Sequence, residues 1–242
     1  MRAKIAYRRV LIKLSGEALA GSRGFGIDES VLGDVAAQIA QVCEAGVQTG
    51  IVLGGGNIFR GLAAAAAGLD RPTGDMVGML ATVMNSLLLK ESLCRAGVKT
   101  RVLSAIRIDT AAEFYTVQRA RSYLEGGYAV IVAGGTGNPY FTTDTAAALR
   151  CAEMKCDVLM KATKVDGIYE SDPIKNPAAK KIHSLTHEEA LVRNLHIMDA
   201  TAFSLCRDNN IPIIVFKLSR PGSLLKCIRG KSVGSIVTKE AP

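Results

Sequence analysis

The chain has no tryptophan, few aromatic residues of any kind and no long run of basic residues. Aromatic residues make up 5% of its 242 residues, although the formal net charge is +8 at pH 7. Proteins that bind single-stranded nucleic acid stack bases on aromatic side chains and follow the backbone with clustered cations. The basic residues here are scattered, and the densest spots, Arg8-Arg9 and Lys180-Lys181, are typical of solvated surface. The positive charge therefore favours a small anionic ligand over nucleic acid as the main partner.

The cysteines lack the spacing of a zinc site. Six occur, but none forms a Cys-x-x-Cys pair and none has a histidine at zinc-ligand spacing. They fall in apolar or helical contexts, where we expect free thiols. The chain also shows no signal peptide and no long apolar segment, since the Ala63–Ala67 run is too short to cross a bilayer. We therefore expect a cytoplasmic protein without a membrane segment.

Two common nucleotide-binding motifs are incomplete in this chain. Gly230-Lys231-Ser232 resembles the end of a Walker A loop, but Leu225 stands where the first glycine is required. The glycine turn that begins at Gly54 has Phe59 where Gly-x-Gly-x-x-Gly requires its last glycine. A Walker-type ATPase and a dinucleotide-dependent dehydrogenase are both disfavoured. Any phosphate site in this chain must be built in another way.

The apolar pattern predicts one α/β domain over residues 1–242. Apolar residues make up 48% of the chain and charged residues 21%, which supports a large buried core. Continuous apolar runs, typical of strands buried on both faces, alternate with segments of helical spacing. The strand-like runs are Val10–Leu14, Val47–Leu53, Val98–Ser104, Tyr128–Ala133, Val158–Ala162, Ile211–Phe216 and Ser235–Thr238. The helical segments are Val31–Glu44, Met76–Arg95, Thr116–Glu125, Thr145–Met154 and Met198–Asp208.

This alternation predicts a mainly parallel sheet with helices on both faces. The carboxyl ends of parallel strands lie along one edge of the sheet, where ligands usually bind. The stretch Asp166–Lys181, rich in Asp, Pro, Lys and Asn, is expected to be an exposed loop.

Two glycine-rich turns follow strand-like runs and point to phosphate binding. The first glycine turn, Gly54–Gly56, follows the apolar run Ile51–Leu53. The second glycine turn, Gly134–Asp144, contains three threonines and leads into a predicted helix. Glycine lets the backbone approach a ligand closely, and the N-terminus of a helix favours an anion. Two such turns predict two phosphorylated ligands, or one large ligand.

Five segments stand in the order and register found in one group of kinases. They are Lys13–Glu17, Gly54–Gly61, Gly74–Thr82, Gly134–Asp144 and Lys161–Tyr169. Together they resemble the bacterial uridylate kinases of the amino acid kinase fold family. The resemblance implies a three-layer αβα sandwich around a mainly parallel sheet, with an acceptor lobe in residues 1–155 and an ATP lobe in residues 156–242. It also implies transfer of the γ-phosphoryl group of ATP to UMP in pyrimidine nucleotide biosynthesis, with Mg²⁺ carried by ATP.

The catalytic residues that the resemblance implies are Lys13, Arg60, Asp144 and Lys161. The cations are expected to neutralise the charge of the transferred group, while Asp144 orients the lysines. The residues alone leave other roles open. A strand-end lysine can extend to solvent, a loop arginine can form a salt bridge, and an aspartate at a helix start is an ordinary N-cap.

The resemblance also divides the substrate contacts between two sites. The residues expected at the ATP site are Lys13, Leu14, Ser15, Gly16, Gly56, Arg60, Thr163, Tyr169 and Asp172. The residues expected at the UMP site are Gly55, Asp75, Thr136, Gly137, Asn138, Pro139, Tyr140, Phe141, Thr142 and Thr143. Asp75 suits the ribose hydroxyls, although a cap on the helix predicted from Met76 is the alternative. Tyr169 suits the adenine ring, although a loop aromatic without a ligand is the alternative.

A further segment matches the region of this family that responds to GTP. Its residues are Gly21, Ser22, Arg23, Gly24, Phe25 and Gly26, and the resemblance implies GTP and UTP as effectors and a homohexamer. Asp199 also matches the family, but the sequence indicates no role for it. The three histidines, His183, His187 and His196, lie in one segment that we expect at the surface, which agrees with a reaction that needs no histidine base.

Two other functions are compatible with the same fold. One is a related kinase that acts on a carboxylate or carbamate, and the other is a nucleotide sensor without catalysis. Asp75 and the threonines of the second glycine turn favour a nucleotide acceptor over a carboxylate. The presence of all four implied catalytic residues argues against a sensor.

Overall fold

The computed structural model describes residues 5–59, 68–195, 197–218, 221–231 and 233–240. The strands in this part of the chain are β1 (Arg9–Leu14), β2 (Gln48–Leu53), β3 (Thr100–Ser104), β4 (Glu113–Phe114), β5 (Ala129–Ala133), β6 (Val158–Thr163), β7 (Ile168–Tyr169), β8 (Lys181–Ile182), β9 (Ser184–Thr186), β10 (Ile213–Lys217) and β11 (Ser235–Thr238). Nine of them form one sheet in the order β4-β3-β5-β2-β1-β6-β10-β11-β9. Strands β7 and β8 pair as a separate antiparallel hairpin.

The large sheet is parallel except where β10 pairs with β11. Its central strands are buried on both faces, which explains why they appear in the sequence as continuous apolar runs. The expectation of a mainly parallel sheet is confirmed. The carboxyl ends of β1, β2, β5 and β6 therefore meet along one edge of the sheet.

Helices cover both faces of the sheet. They are α1 (Gly16–Leu19), α2 (Glu29–Glu44), α3 (Arg71–Arg95), α4 (Val117–Glu125), α5 (Thr143–Glu153), α6 (His187–Val192), α7 (Ala200–Asp208) and α8 (Ser223–Ile228). One apolar core lies between the sheet and helices α2, α3 and α8. A second core lies between the opposite face and helices α4, α5, α6 and α7. The three-layer αβα sandwich implied by the resemblance is therefore present.

Some local expectations were wrong. The helix predicted from Met76 begins earlier, at Arg71, so Asp75 lies inside α3 and is not its cap. The stretch predicted as a loop contains β7, which pairs with β8. Helices α6 and α8 were not predicted because each has 6 residues, too few for a helical period to be recognised.

Helix α3 is the one helix of the described residues that is long and apolar enough to span a bilayer, by length and composition alone. The sequence analysis did not recognise this helix as a long apolar segment. Within its most apolar window 44% is buried inside the protein, because α3 packs against α2, β3 and β5. A helix that covers one face of a sheet, as α3 does here, can be as long and as apolar as a membrane span.

Candidate active site

Two lysines lie side by side on neighbouring strands. Lys13 on β1 and Lys161 on β6 are partners in the register of this parallel pair. Each stands two residues after a leucine that packs in the core beneath α5, Leu11 on β1 and Leu159 on β6. Since side chains on a strand alternate between the faces, both lysines extend on the α5 side of the sheet. Their side chains are only 10% and 14% exposed, so two ammonium groups are held close together with little water.

Asp144 joins the two ammonium groups. Its Oδ1 lies 2.7 Å from Nζ of Lys13, and its Oδ2 lies 2.6 Å from Nζ of Lys161. Lys161 donates a hydrogen bond to Oδ2 and another to the carbonyl oxygen of Ile197, at 2.7 Å. Lys13 forms an ion pair with the other carboxylate oxygen, Oδ1. Lys13, Asp144 and Lys161 are called the lysine–aspartate group below.

Burial and the charge of the opposite partner shift the pKa values of Asp144 and Lys161 in opposite directions. Burial by itself would raise the pKa of the Asp144 carboxyl, but the charges of Lys13 and Lys161 outweigh it and the pKa is lowered. Burial lowers the pKa of Lys161, and repulsion by Lys13 acts in the same direction while Asp144 opposes both. Asp144 is therefore ionised at neutral pH and compensates for the two neighbouring cations.

The start of α5 positions Asp144. Thr142 is the N-cap of this helix, and its Oγ1 accepts hydrogen bonds from the backbone N–H groups of Asp144 and Thr145. Asp144 lies in the first turn, where a carboxylate also interacts favourably with the helix dipole. The N-cap reading of Asp144 is wrong, because Thr142 performs that role and leaves the Asp144 carboxylate to the lysines.

Asp199 connects the starts of α5 and α7. It is the N-cap of α7 and accepts a hydrogen bond from the backbone N–H of Ala202 at 2.9 Å. Its carboxylate also accepts hydrogen bonds from the hydroxyls of Thr142 and Thr145. The sequence indicated no role for Asp199. The structure shows that it holds the N-terminus of α5, which carries Asp144, against the N-terminus of α7.

A cavity of about 300 Å³ lies between the two glycine turns and the start of α3, and its lining ends at Thr142 and Thr143, which directly precede Asp144. Its lining residues are Gly55, Gly56, Phe59, Gly74, Asp75, Gly78, Met79, Thr82, Gly135, Thr136, Asn138, Phe141, Thr142 and Thr143. The structure thus brings together seven residues expected at the UMP site, namely Gly55, Asp75, Thr136, Asn138, Phe141, Thr142 and Thr143. Gly137, Pro139 and Tyr140 belong to the same turn but lie outside this lining.

The two turns need glycine for different reasons. In the first turn, a Cβ on Gly55 would lie 2.7 Å from the carbonyl oxygen of Gly78, so no side chain fits between the turn and α3. In the second turn, Gly134 has a φ of +76°, a conformation that costs glycine little. The N–H of Gly134 donates to Oγ1 of Thr82 at 2.8 Å, which ties this turn to α3. Helix α3 therefore supports both turns.

Asp75 is already engaged in hydrogen bonds. Its two carboxylate oxygens accept from Nε of Arg71 at 3.0 and 2.9 Å, and Oδ2 also accepts from the backbone N–H of Tyr140 at 2.7 Å. Tyr140 has a φ of +71°, which is unfavourable for a residue with a side chain. This contact holds the second glycine turn against the start of α3. A ribose hydroxyl would have to use the remaining acceptor sites of the Asp75 carboxylate.

The residues expected at the ATP site are less closely grouped. Leu14, Ser15 and Gly16 follow Lys13 at the end of β1, Gly56 lines the cavity, and Thr163 ends β6. Tyr169 and Asp172 lie farther along the chain, in and after β7. The Tyr169 hydroxyl donates to Asp166, and Asp172 accepts from the N–H of Ile174. Arg60 lies outside the described residues.

A second cavity, of about 580 Å³, is lined by some of the residues around the expected ATP site but not by others. It lies beside α2 and the ends of β6 and β10. Thr163 and Lys164 contribute to its lining, whereas Tyr169 and Asp172 do not. The expected ATP residues therefore do not converge on one cavity in the way that the UMP residues do.

The segment Gly21–Gly26 lies at the surface. Gly21, Ser22 and Arg23 form a single 3-10 turn, and Gly24 follows in the left-handed conformation with a φ of +71°. Phe25 is 70% exposed. At the end of the segment, the N–H of Gly26 donates to the carbonyl oxygen of Asn57, directly after the first glycine turn.

Sequence reasoning missed several buried polar residues around the site. Thr82 lies within a segment that the resemblance used, but it was given no role. Arg150 is 5% exposed, stacks on Tyr115 and donates weakly to the carbonyl oxygens of Gly135 and Thr136 at 3.4 and 3.5 Å. A lone arginine on an otherwise apolar helix face was the available signal.

One expectation about the histidines was also wrong. His187 was expected at the surface but is 2% exposed, packed against Phe203. Its Nδ1 forms a hydrogen bond with the carbonyl oxygen of Thr238 at 2.9 Å, and burial lowers the pKa of its ring. His196 lies outside the described residues.

Comparisons with known proteins agree with this arrangement. The sequence profile of the amino acid kinase family matches residues 8–217. A uridylate kinase of Bacteroides thetaiotaomicron is 52% identical over 231 residues, which are 96% of this chain and 98% of that protein. The structure of a UMP kinase from Bacillus anthracis matches with a TM-score of 0.94 and 39% identity, over 97% of each chain. That of a UMP kinase from Ureaplasma parvum matches with a TM-score of 0.91 and 39% identity, over 96% of this chain and 99% of that one. The chain belongs to the amino acid kinase family and, within it, to the uridylate kinases.

Proposed function

We propose that this protein transfers the γ-phosphoryl group of ATP to UMP and forms UDP and ADP for pyrimidine nucleotide biosynthesis. One observation carries the proposal: Asp144, which pairs with both lysines, directly follows two threonines that line a cavity between two glycine-rich turns. The extensive identity to a protein named uridylate kinase supports UMP as the acceptor.

The reaction makes simple chemical demands on this site. The second pKa of a phosphate monoester is about 6, so UMP is mostly a dianion at neutral pH and needs no general base. Catalysis then depends on aligning the two phosphates and neutralising the charge between them. Buried ammonium groups held by a carboxylate are suited to that task.

We assign different roles to the two lysines. Lys161 is held by hydrogen bonds to Asp144 and to the carbonyl oxygen of Ile197, so its ammonium group supplies charge at a fixed position. Lys13 is held by its ion pair with Asp144, and it turns toward the transferring phosphoryl group when that group enters. Asp144 positions both lysines, and Arg60 clamps a phosphate.

The substrates occupy opposite sides of the lysine–aspartate group in this proposal. UMP binds in the 300 Å³ cavity, against Asp75 and the second glycine turn. ATP approaches along the ends of β1 and β6, where the family places its contacts. The residues in that contact set are Leu14, Ser15, Gly16, Gly56, Thr163, Tyr169 and Asp172. In this arrangement, residues 1–155 form the acceptor lobe and residues 156–242 the ATP lobe.

Mg²⁺ enters this site with ATP, coordinated mainly by phosphate oxygens. Asp144, the carboxylate nearest to the lysines, is already paired with two ammonium groups, which makes it a poor ligand for a metal ion. The described residues contain no group of three or more His, Cys, Asp or Glu that could hold a metal. When bound, the ion would shield the phosphate charge, while Lys13, Lys161 and Arg60 align the phosphates.

A coupled ADP-release assay tests the function directly. UMP, CMP, AMP, aspartate and glutamate are offered as acceptors with ATP and Mg²⁺. We expect rapid ADP release with UMP and little with the amino acids or AMP. ADP release without UMP dependence, or none at all, would refute the proposal.

We also propose that the protein assembles from identical copies, with the homohexamer of its family as the expected state. Helix α3 exposes a slanting stripe of Met76, Leu80, Met84 and Leu88, each 42% to 53% exposed. Contiguous apolar side chains on one helix are typical of a protein interface. Sedimentation of Met84→Glu should show smaller particles than wild type, whereas Val192→Glu, at a residue 87% exposed on α6, should not.

Regulation and location complete the proposal. GTP and UTP act as effectors through the exposed segment Gly21–Gly26, whose three positive-φ glycines allow it to change conformation. Initial rates with added GTP or UTP test this directly.

The protein functions in the cytoplasm, which is supported by six cysteines that are all free thiols.

A further inference from the structure

Two asparagines form a buried amide pair beneath the first glycine turn. Asn57 follows that turn, Asn85 lies on α3, and both are 0% exposed. Nδ2 of Asn57 donates to Oδ1 of Asn85 at 3.1 Å, and Nδ2 of Asn85 donates to Oδ1 of Asn57 at 2.7 Å. Each amide also donates once to a backbone carbonyl, so all four N–H groups of the pair are used. A buried polar network that is fully satisfied in this way holds its members rigidly.

The two carbonyls belong to different functional segments. Asn57 donates to the carbonyl oxygen of Gly26, at 2.8 Å, and Asn85 donates to the carbonyl oxygen of Gly54, at 2.7 Å. Gly26 ends the segment Gly21–Gly26, and Gly54 begins the first glycine turn. The N–H of Gly26 also donates to the carbonyl oxygen of Asn57, so this end of the segment is held twice. The pair is therefore a bridge between the segment and the turn.

A third segment packs directly on this bridge. A Cβ on Gly16, at the start of α1, would lie 2.6 Å from Oδ1 of Asn57 and 2.6 Å from the carbonyl oxygen of Gly54. The start of α1 is therefore in close contact with both the amide pair and the turn. A continuous chain of contacts thus runs from Gly26 through Asn57 and Asn85 to Gly54, the residue before Gly55 and Gly56 of the cavity lining.

We propose that Asn57 and Asn85 are positioning residues that couple the segment Gly21–Gly26 to the first glycine turn, so that UMP binding and the conformation of the segment depend on each other. The inference rests on the proposed function, because it takes the turn to be part of the UMP site. Coupling of this kind is reciprocal: UMP orders the segment, and the segment sets the affinity for UMP.

The test uses Asn85→Ala, which removes the donor to Gly54 and leaves Asn57 without its partner. Ser86→Ala is the matched control, because Ser86 is also 0% exposed on α3 but donates only within the helix, to the carbonyl oxygen of Thr82. We measure kcat and KM for UMP. We also measure amide hydrogen exchange in peptides over residues 18–28 and 134–145, with and without UMP.

We expect UMP to slow exchange in both peptides of wild type and of Ser86→Ala. In Asn85→Ala, the slowing over residues 18–28 should disappear while that over 134–145 remains, and KM for UMP should rise roughly tenfold because a buried carbonyl loses its donor. Asn57→Ala is measured in the same way if Asn85→Ala is too unstable to purify.

A KM within twofold of wild type, or slowing over residues 18–28 that persists in the variant, would show that the pair only stabilises the fold. Absence of that slowing in wild type would also overturn the inference. A wild-type protein that does not phosphorylate UMP would refute the proposed function instead, so the two failures are distinguishable.

Discussion

Replacing Asp144 by asparagine tests the lysine–aspartate group most directly. The substitution keeps the shape of the side chain but removes the charge that lies 2.7 and 2.6 Å from two ammonium groups. Removing one partner of a buried ion pair typically costs about 3–5 kcal/mol. Because these side chains remain 10% to 14% exposed, we expect the lower end, about 3 kcal/mol. For a protein of this size that corresponds to a fall in Tm of roughly 6–12 °C.

The pH dependence gives the reasoning a second, sharper test. Without Asp144, Lys161 loses the charge that opposes its burial and its repulsion by Lys13, so the pKa of Lys161 in the folded state falls further below its ordinary value. A lysine with a lowered folded pKa destabilises the protein while it is charged, and this penalty diminishes as the pH rises toward the unfolded pKa. The stability gap between wild type and Asp144→Asn should therefore be widest near pH 7 and should narrow toward pH 10.

The assay is urea unfolding of both proteins at several pH values from 7 to 10. Glu91→Gln is the control, because its ion pair with Arg95 is exposed on both sides and should contribute no more than about 0.5 kcal/mol. We also expect kcat of Asp144→Asn to fall by roughly 100-fold or more, because the charged groups are no longer held in place. A stability loss below about 1 kcal/mol, far short of the 3–5 kcal/mol typical of broken buried pairs, or a gap that does not change with pH, would refute this account.

Three further variants test single contacts. Lys13→Ala should lower kcat by orders of magnitude while the protein stays folded, and near-normal turnover would remove Lys13 from the mechanism. Thr142→Ala should lower the free energy of unfolding by about 1 kcal/mol in urea titrations through the lost N-cap, and an unchanged value would contradict that role. His187→Gln keeps a donor for the Thr238 carbonyl oxygen but removes the titrating ring. Because burial lowers the pKa of His187, wild type should lose stability as the pH falls below about 6.5, and should lose more between pH 7 and 5 than the variant; equal losses would contradict the prediction.

The fold was predictable because its signals are local. Each run that predicted a strand forms one, and most were recognisable because strands buried on both faces need continuous apolar residues. The glycines at positions 55 and 134 were recognisable for a similar reason, because close approach and positive φ exclude most other residues. The roles of Asp75 and Asp144 were ambiguous, because an aspartate near a helix start has the same local pattern whether or not it is the cap.

The sequence by itself determined the strands and helices, the glycine turns and, through five segments in order, the family. Only the tertiary structure decided which charges meet. Lys13 and Lys161 are neighbours because β1 and β6 pair in one particular register, and Asp144 reaches both because Thr142 and Asp199 place the start of α5 above them. The amide pair of Asn57 and Asn85 depends likewise on how α3 packs against the first glycine turn. Register and packing depend on the sum of many weak contacts between distant parts of the chain, and no local pattern encodes them.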